Sequence, residues 1–216
     1  MGGFKVKDGK PVLLKMVTGI QQNKDYLGEV DGLIGDGDHG MNMNKGFTMF
    51  AEQIAAKDIG FTEGLDELGN LLFSKIGGSM GPIYGSIFMS MAESIEDLEE
   101  IDTADVSKMV NAGLDGLHEV VKGEVGDKTL VDTLAPANEA LKQAAKAGKS
   151  LPEALGEMKA AAAKGRDSTK DLVAKFGRSS RLGERSRGVL DAGAVSCCII
   201  LTAIADGIVE QLKAGA

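Results

Sequence analysis

The stretch Gly35-Asp-Gly-Asp-His-Gly40 decides which class of fold the chain adopts. It matches G-x-G-x-x-G, the turn that joins a strand to a helix in dinucleotide-binding α/β folds. Such a fold needs a strand immediately before the first glycine. Here the preceding residues place apolar side chains at helical spacing, ending with Leu27, Val30 and Ile34. The match to the α/β motif is therefore accidental, and the stretch predicts a connection between two helices.

Helical periodicity dominates the rest of the chain as well. Apolar side chains recur every three or four residues over 12–34, 43–54 and 65–76. Further helix starts are marked by residues that open or cap helices: Pro82, Asp102, Thr129, Ser150 and Asp191. We expect about eight helices, with a kink at Pro136 and a short helix through Leu172 and Phe176. Since no alternating apolar stretch lies between hairpin turns, the sequence predicts an all-α fold with one domain over residues 1–216.

The composition argues against several classes of protein. A net charge of -8, only 4% aromatic residues and no Trp disfavour a nucleic-acid binder. The two cysteines, Cys197 and Cys198, are adjacent, so they offer neither a disulfide framework nor a CxxC metal site. No N-terminal apolar segment suits a secretory signal, and the apolar run around 195–205 is too short to span a bilayer. We therefore expect a cytoplasmic protein that binds neither nucleic acid nor membrane.

Three aspartates surround the opening stretch: Asp31, Asp36 and Asp38. They could simply cap helices and solvate a loop. An EF-hand is excluded, because the twelfth position counted from Asp36 or Asp31 is Phe47 or Asn42 and not glutamate. They could also ligate Mg²⁺, which takes one or two carboxylates together with substrate phosphates. Carboxylates this close to a nucleotide would repel its phosphates unless a divalent cation lay between them.

Two neighbouring groups offer contacts to phosphate. His39 and Asn42 begin the next helix and could meet phosphate oxygens, although His39 could equally serve as a cap. A zinc site is disfavoured because the other histidine, His118, lies in the middle of a distant helix. The loop 77–82, "GGSMGP", offers backbone amides and a serine hydroxyl at a helix N-terminus, which is a chemically suitable anion site. No Walker A loop occurs in the chain.

A basic segment lies near the C-terminus of this acidic chain. Residues 164–187 contain eight Lys or Arg and three Asp or Glu. Such a segment is usually a solvated surface. Its arginines are nevertheless the groups that stabilise a transferring phosphoryl group or bind an acidic partner: Arg178, Arg181, Arg185 and Arg187. The helix that follows, capped by Asp191, could present backbone amides to a ligand.

Four motifs in this order resemble one protein family. They are LIGDGDHGMNMNKGF, GGSMGPIYGSIF, GDKTLVDTLAPA and GRSSRLGERSRGVLDAGA. Together they resemble the nucleotide-binding L subunit of bacterial dihydroxyacetone kinases over nearly the whole chain. The resemblance implies an antiparallel eight-helix barrel that holds ADP or ATP and two Mg²⁺ ions at one end. It implies Asp31, Asp36 and Asp38 as metal ligands and Arg178 as the catalytic residue that stabilises the leaving charge. It also implies a set of nucleotide contacts: His39, Gly40, Met41, Asn42, Gly78, Ser79, Leu130, Arg178, Asp191, Ala192 and Gly193.

The same resemblance implies partners. The keto-sugar would be held by a separate K-type subunit, through a histidine that binds the carbonyl covalently. In the phosphotransferase-system branch, ADP is a tightly bound cofactor that an M-type subunit rephosphorylates in place. Met80, Arg181 and Ala192 stand where we expect serine, an aromatic residue and proline in the family. These departures leave open an ATP-dependent kinase subunit for another keto-sugar, such as a tetrulose, and a nucleotide-sensing regulatory module. A homo-oligomer also remains open.

Overall fold

Helices form nearly all of the regular structure in the computed structural model, which describes residues 3–215. The α-helices over that range are α1 (Lys10–Gln22), α2 (Lys24–Ile34), α3 (His39–Ile54), α4 (Phe61–Lys75), α5 (Met80–Glu93), α6 (Thr103–Val120), α7 (Val131–Lys146), α8 (Leu151–Ser168) and α9 (Ala192–Ala214). Two short strands, β1 (Phe4–Lys5) and β2 (Glu100–Ile101), pair antiparallel. They are too short to show the alternation by which a strand is recognised in a sequence.

The helices close into a ring. From α2 onward each helix packs against the next in chain order, and α9 packs back against α1. Only Asn23 separates α1 from α2, and its side-chain Nδ2 donates to the carbonyl of Gly19 at 2.8 Å where α1 ends. Counting α1 and α2 as one bent element, the ring has eight members joined by short connections, which makes neighbours antiparallel. The predicted all-α, antiparallel eight-helix barrel is confirmed, with its first helix divided at Asn23.

The inside of the ring is one hydrophobic cluster. The apolar positions that set the helical periodicity are the buried ones, for example Leu13, Phe47, Leu68 and Phe88. The last helix, α9, is the most apolar, and of the described helices it alone is long and apolar enough to cross a membrane. Its most apolar stretch is 72% buried against the rest of the fold. A helix that is apolar on all sides is expected in the interior of a domain.

Local capping explains two of the helix starts. The carboxylate of Asp102 accepts from the backbone N–H groups of Ala104 and Asp105 at 2.7 and 3.0 Å and so caps α6. At the start of α8, the Glu153 carboxylate accepts from the backbone N–H of Ser150 at 3.0 Å. Both starts agree with the sequence, because these side chains satisfy N–H groups that a helix leaves free at its first turn.

The short helix predicted through Leu172 and Phe176 is wrong. A 3₁₀ turn ends at Asp171, and the chain then follows an irregular path. The N–H of Ala174 donates to Ser186 Oγ at 2.9 Å, and the N–H of Lys175 donates to the carbonyl of Asp127 at 3.1 Å. These distant partners accept the backbone hydrogen bonds that the carbonyls of a helix would otherwise accept. Tertiary contacts have therefore overridden a weak local helical preference.

Candidate functional site

A pocket of about 710 Å³ opens at one end of the barrel. The α2–α3, α4–α5, α6–α7 and α8–α9 connections all contribute to its wall, so four helices begin there. The N-cap residues of those helices line it: Asp38, Ser79, Leu130 and Asp191. Free backbone N–H groups at a helix N-terminus carry partial positive charge, so such a wall suits an anion such as phosphate.

The three predicted metal ligands come together at this wall. Asp31 lies in the last turn of α2, Asp36 in the connection and Asp38 at the cap of α3, and each offers an oxygen within 4.8 Å of the other two. Gly37 between them has a φ of +77°, in the left-handed region that favours glycine. Burial, and then the charges of Asp36 and Asp31, raise the pKa of Asp38. Three hard oxygen ligands that repel one another fit a divalent cation such as Mg²⁺.

Arg178 faces this cluster from the far rim. Its Nη1 lies 2.8 Å from Asp36 Oδ2, and its side chain is 68% exposed. Exposed ion pairs contribute about 0–1 kcal/mol. The guanidinium can therefore exchange Asp36 for a phosphate oxygen at little cost.

A buried hydrogen-bond chain holds His39 in the wall. Its Nε2 lies 2.8 Å from Ser196 Oγ, and that hydroxyl lies 2.6 Å from the hydroxyl of Tyr84. The Tyr84 hydroxyl also donates to the carbonyl of Gly193 at 3.3 Å. Burial lowers the pKa of His39 to about 4, against a smaller opposing effect of Asp31. The ring is therefore neutral at neutral pH, where it serves as a hydrogen-bonding group and not as a cation.

The starts of α5 and α9 form the remaining wall. Gly78 has a φ of +72°, and no atom lies within 4 Å of the position that a Cβ would take, so conformation and not space favours glycine there. Asp191 Oδ2 accepts from the N–H of Ala194 at 2.8 Å and caps α9. Burial raises the pKa of Asp191 to about 6. Ala192 and Gly193 follow in the first turn and also line the pocket.

Two predicted nucleotide contacts are not among the residues that line the pocket. A Cβ on Gly40 would come 2.0 Å from the carbonyl oxygen of Lys24, so Gly40 lets α3 pack closely on α2 and does not line the pocket. Met41 is 60% exposed and is also outside the lining. The structure brings all the other predicted site residues to this one pocket. Their roles toward a ligand stay predictions.

Several lining residues were not predicted from the sequence. They are Tyr84, Lys128, Thr129 and Phe176, among others. Tyr84 follows the apolar spacing of α5 and is indistinguishable from a core residue in the sequence. Lys128 offered a signal that could have been used, because it sits beside Gly126 and Asp127 in a motif that begins a helix.

The fold and the pocket define a class of protein: a helical barrel with a pocket at one end whose helix N-termini suit a phosphate-bearing ligand, beside clustered carboxylates. Residues 33–206 match the DAK2 domain. The chain is 38% identical over 184 residues to the ADP-binding subunit DhaL of the PEP-dependent dihydroxyacetone kinase of Escherichia coli, covering 84% of this chain and 87% of that protein. It is 37% identical over 186 residues to the corresponding subunit of dihydroxyacetone kinase 1 of Listeria innocua, covering 86% of this chain and 88% of that protein.

More distant similarities agree. An L-erythrulose kinase of Pectobacterium atrosepticum is 33% identical over 188 residues, which is 86% of this chain but only 32% of that protein. The crystal structure of the dihydroxyacetone kinase from C. freundii with AMP-PNP and Mg²⁺ superposes with a TM-score of 0.69 at 20% identity, over 90% of this chain and 33% of that one. The chain belongs to the DAK2 domain family, and the resemblance to the ADP-binding L subunits of dihydroxyacetone kinases is confirmed.

Proposed function

We propose that the chain is the ADP- and ATP-binding subunit of a dihydroxyacetone-type kinase, a phosphotransferase in which one domain over residues 1–216 holds the nucleotide. One observation carries the proposal: three carboxylates within 4.8 Å of one another share a pocket wall with four helix N-termini. Carboxylates oppose a bare nucleotide, whereas helix N-termini favour its phosphates. A complex of nucleotide with Mg²⁺ satisfies both sets of groups. The relatives named as ADP-binding subunits support the same conclusion.

Each group has a role in phosphoryl transfer. Asp31, Asp36 and Asp38 would hold two Mg²⁺ ions, which when bound neutralise charge on the phosphate oxygens. The amides at Gly78–Ser79 and at the start of α9 would donate to phosphate oxygens. Arg178, held near Asp36 from an exposed loop, would turn to the phosphoryl group and stabilise the charge that develops as it leaves. The protein thus acts through positioning and charge, which suits a phosphoryl transfer with little covalent participation of side chains.

The acceptor reaches this pocket from outside. We propose a K-type subunit that presents dihydroxyacetone and an M-type phosphotransferase-system protein that rephosphorylates the bound ADP in place. The relatives named as PEP- and PTS-dependent kinase subunits support this division of labour. Such a relay would operate in the cytoplasm, a reducing compartment that suits the two buried free thiols of Cys197 and Cys198.

A second candidate is an ATP-dependent kinase subunit for a tetrulose. Relatives named as erythrulose kinases favour it, although this chain spans about a third of their length. Two of the departures from the family pattern lie at the pocket, since Met80 and Ala192 line it. The third, Arg181, is exposed in the 3₁₀ segment Ser179–Ser186 between α8 and α9. Substitutions at these three positions would alter the rate of nucleotide exchange or the choice of partner subunit.

Nucleotide retention separates the candidates. The protein is dialysed exhaustively in buffer with Mg²⁺ and denatured, and the released nucleotide is identified by chromatography. Stoichiometric ADP is expected for the relay subunit, and a chelator should release it before the protein is denatured. Asp36→Asn should lose the nucleotide, whereas Asp66→Asn, an exposed aspartate on α4 outside the pocket, should keep it. A wild-type protein that retains no nucleotide and, together with a substrate-binding K-type partner, phosphorylates a tetrulose with free ATP would select the second candidate.

The number of metal ions needs its own measurement. Titration of the ADP complex with Mn²⁺, followed by electron paramagnetic resonance, counts the bound ions directly. Two ions per ADP are expected from three carboxylates shared with the phosphates. A single tight ion would leave the nucleotide-binding function standing and would remove the two-metal arrangement from it.

A further inference from the structure

Lys128 is a buried lysine in the pocket wall. It is 1% exposed, although lysine is almost never fully buried unless it is paired. Its φ is +60°, and among the described residues it is the one non-glycine residue with a positive φ. Backbone in this region is strained for a side chain with a Cβ, and such strain persists where the surroundings fix it, often at functional sites.

The ammonium of Lys128 joins three separate segments. Lys128 itself lies in the α6–α7 connection, and its Nζ donates to the carbonyl of Thr169, just after α8, and to the carbonyl of Val189, just before α9. Thr169 continues the connection, because its Oγ1 accepts from the backbone N–H of Asp191 at 3.1 Å. The lysine therefore ties the approach to α7 to the approach to α9.

Charged groups around Lys128 fit this role. Burial lowers its pKa, while Asp191 and Asp132 oppose that effect, with Asp171 acting in the same sense as these two and Arg187 against them. Asp132 holds the connection from the other side, since its carboxylate accepts from the N–H groups of Gly126 and Thr129 at 2.6 and 2.8 Å. The buried cation and this carboxylate together fix the backbone that leads into α7.

We propose that Lys128 is a positioning residue for the nucleotide: it fixes the start of α7 at Leu130 relative to the start of α9 at Asp191–Gly193. A Cβ on Gly193 would lie 3.6 Å from the Cβ of Leu130, so the two starts are in contact with each other in the pocket wall. The inference rests on the proposed nucleotide-binding function. The ammonium donates to two backbone carbonyls that hold these helix starts in place. Its loss should therefore loosen this part of the pocket wall and speed nucleotide release, while the dependence of binding on Mg²⁺ stays the same.

The test compares release rates of Mg-ADP from folded protein. A fluorescent ADP analogue is displaced in a stopped-flow instrument, well below the melting temperature, from wild type, Lys128→Met and Lys128→Arg. Loss of the ammonium leaves the carbonyls of Thr169 and Val189 without their shared donor, so about 30-fold faster release is expected for Lys128→Met. Lys128→Arg keeps the charge and the donors and should recover most of the wild-type rate. The Mg²⁺ concentration at half-maximal binding should stay within about twofold in both, since the aspartates are intact.

Lys175→Met is the matched control. Lys175 also links the α6–α7 connection to the loop before α9, but from the exposed surface through Asp127. It should alter the release rate by less than about twofold, because the Lys175 side chain is 63% exposed and Asp127 keeps its hydrogen bond from the N–H of Glu124. A merely structural role for Lys128 would lower the melting temperature and leave the release rate of the folded protein unchanged.

Three outcomes would overturn the inference: a wild-type release rate in Lys128→Met, no recovery in Lys128→Arg, or an equal effect of Lys175→Met. If Lys128→Met does not fold, Thr169→Val decides, because it removes the hydroxyl that accepts from Asp191 N–H and keeps the carbonyl that Lys128 binds. About fivefold faster release is then expected from one lost hydrogen bond, and an unchanged rate would refute the tie. A wild-type protein that does not bind Mg-ADP would instead reject the proposed function itself.

Discussion

Replacing Asp38 with asparagine should move stability and ligand binding in opposite directions. In the ligand-free protein, Asp38 faces Asp31 and Asp36 with oxygens within 4.8 Å. Two unit charges at that distance repel by about 1 kcal/mol in a water-like medium and about 3.5 kcal/mol at an effective dielectric constant of 20. Because the site is open to solvent, we take about 1 kcal/mol for each neighbour. Asp38 makes no side-chain capping bond to α3, so asparagine forfeits little beyond a hydrogen bond with the Asn42 side chain and the weak attraction of the exposed Arg178.

The ligand-free variant should therefore be more stable by about 2 kcal/mol, which corresponds to a melting temperature higher by about 4–8 °C for a chain of this size. Binding should suffer for the same reason. A lost unit charge at a coordination distance of about 2.1 Å from a dication removes about 4 kcal/mol even in a water-like medium. That is a loss in Mg-ADP affinity on the order of 10³-fold.

Thermal melts with and without Mg-ADP, together with calorimetric titration, measure both effects in one preparation. Asp25→Asn is the control, because Asp25 is 90% exposed in the first turn of α2, with only a 3.8 Å ion pair to Lys24. It should change neither quantity. If Asp38→Asn melted lower and bound Mg-ADP as wild type does, the aspartates would be structural groups of a solvated loop, and the metal assignment would be refuted.

Three further variants test other parts of the site. Arg178→Ala should slow phosphoryl transfer to a K-type partner by about 10³-fold, while ADP retention and the melting temperature change little, as rapid-quench assays and melts would show. Gly40→Ala should cost about 2–3 kcal/mol in chemical denaturation, since its Cβ would meet the Lys24 carbonyl at 2.0 Å; a neutral effect would contradict the packing role. Asp127→Ala should destabilise the protein by about 1–2 kcal/mol at neutral pH. Lys175 and then the N–H of Glu124 lower the Asp127 pKa, so this stabilisation is complete above the ordinary aspartate pKa and is lost as pH falls through the lower folded value. A difference from wild type that persisted unchanged in acid denaturation curves would contradict it.

The helices were predictable because the buried positions recur every three or four residues, which is the period of an α-helix. Positions such as Leu65, Leu68 and Leu72 face the core whatever the neighbouring helix is, so the pattern survives without knowledge of the partner. The division at Asn23 was not predictable, since apolar residues continue with helical spacing on both sides of it. A single residue with φ -104° and ψ 9° is enough to bend the chain there.

The acidic part of the site was predictable for a different reason. Asp31, Asp36 and Asp38 are close in sequence, so a helix end and a glycine turn bring them together locally. Lys128 and Ser196 act through contacts with residues 41 to 157 positions away. The motif around Lys128 draws attention to that residue, but no local spacing predicts these contacts. The same limit explains the wrong helix near Leu172, where partners distant in the chain take the backbone hydrogen bonds.

The pocket combines two features that oppose each other unless nucleotide and metal bind together. The four helix N-termini attract phosphate, while the three carboxylates repel it; the carboxylates attract a cation, which the N-termini repel. Each ligand therefore removes the obstacle to the other. By linkage, ADP must raise the affinity for Mg²⁺ by the same factor by which Mg²⁺ raises the affinity for ADP, and we expect a factor on the order of 100. Calorimetric titrations in both orders measure the two factors independently. Asp38→Asn should reduce both together, whereas a coupling factor near one in the wild-type protein would mean that the aspartates and the helix N-termini do not serve one ligand complex.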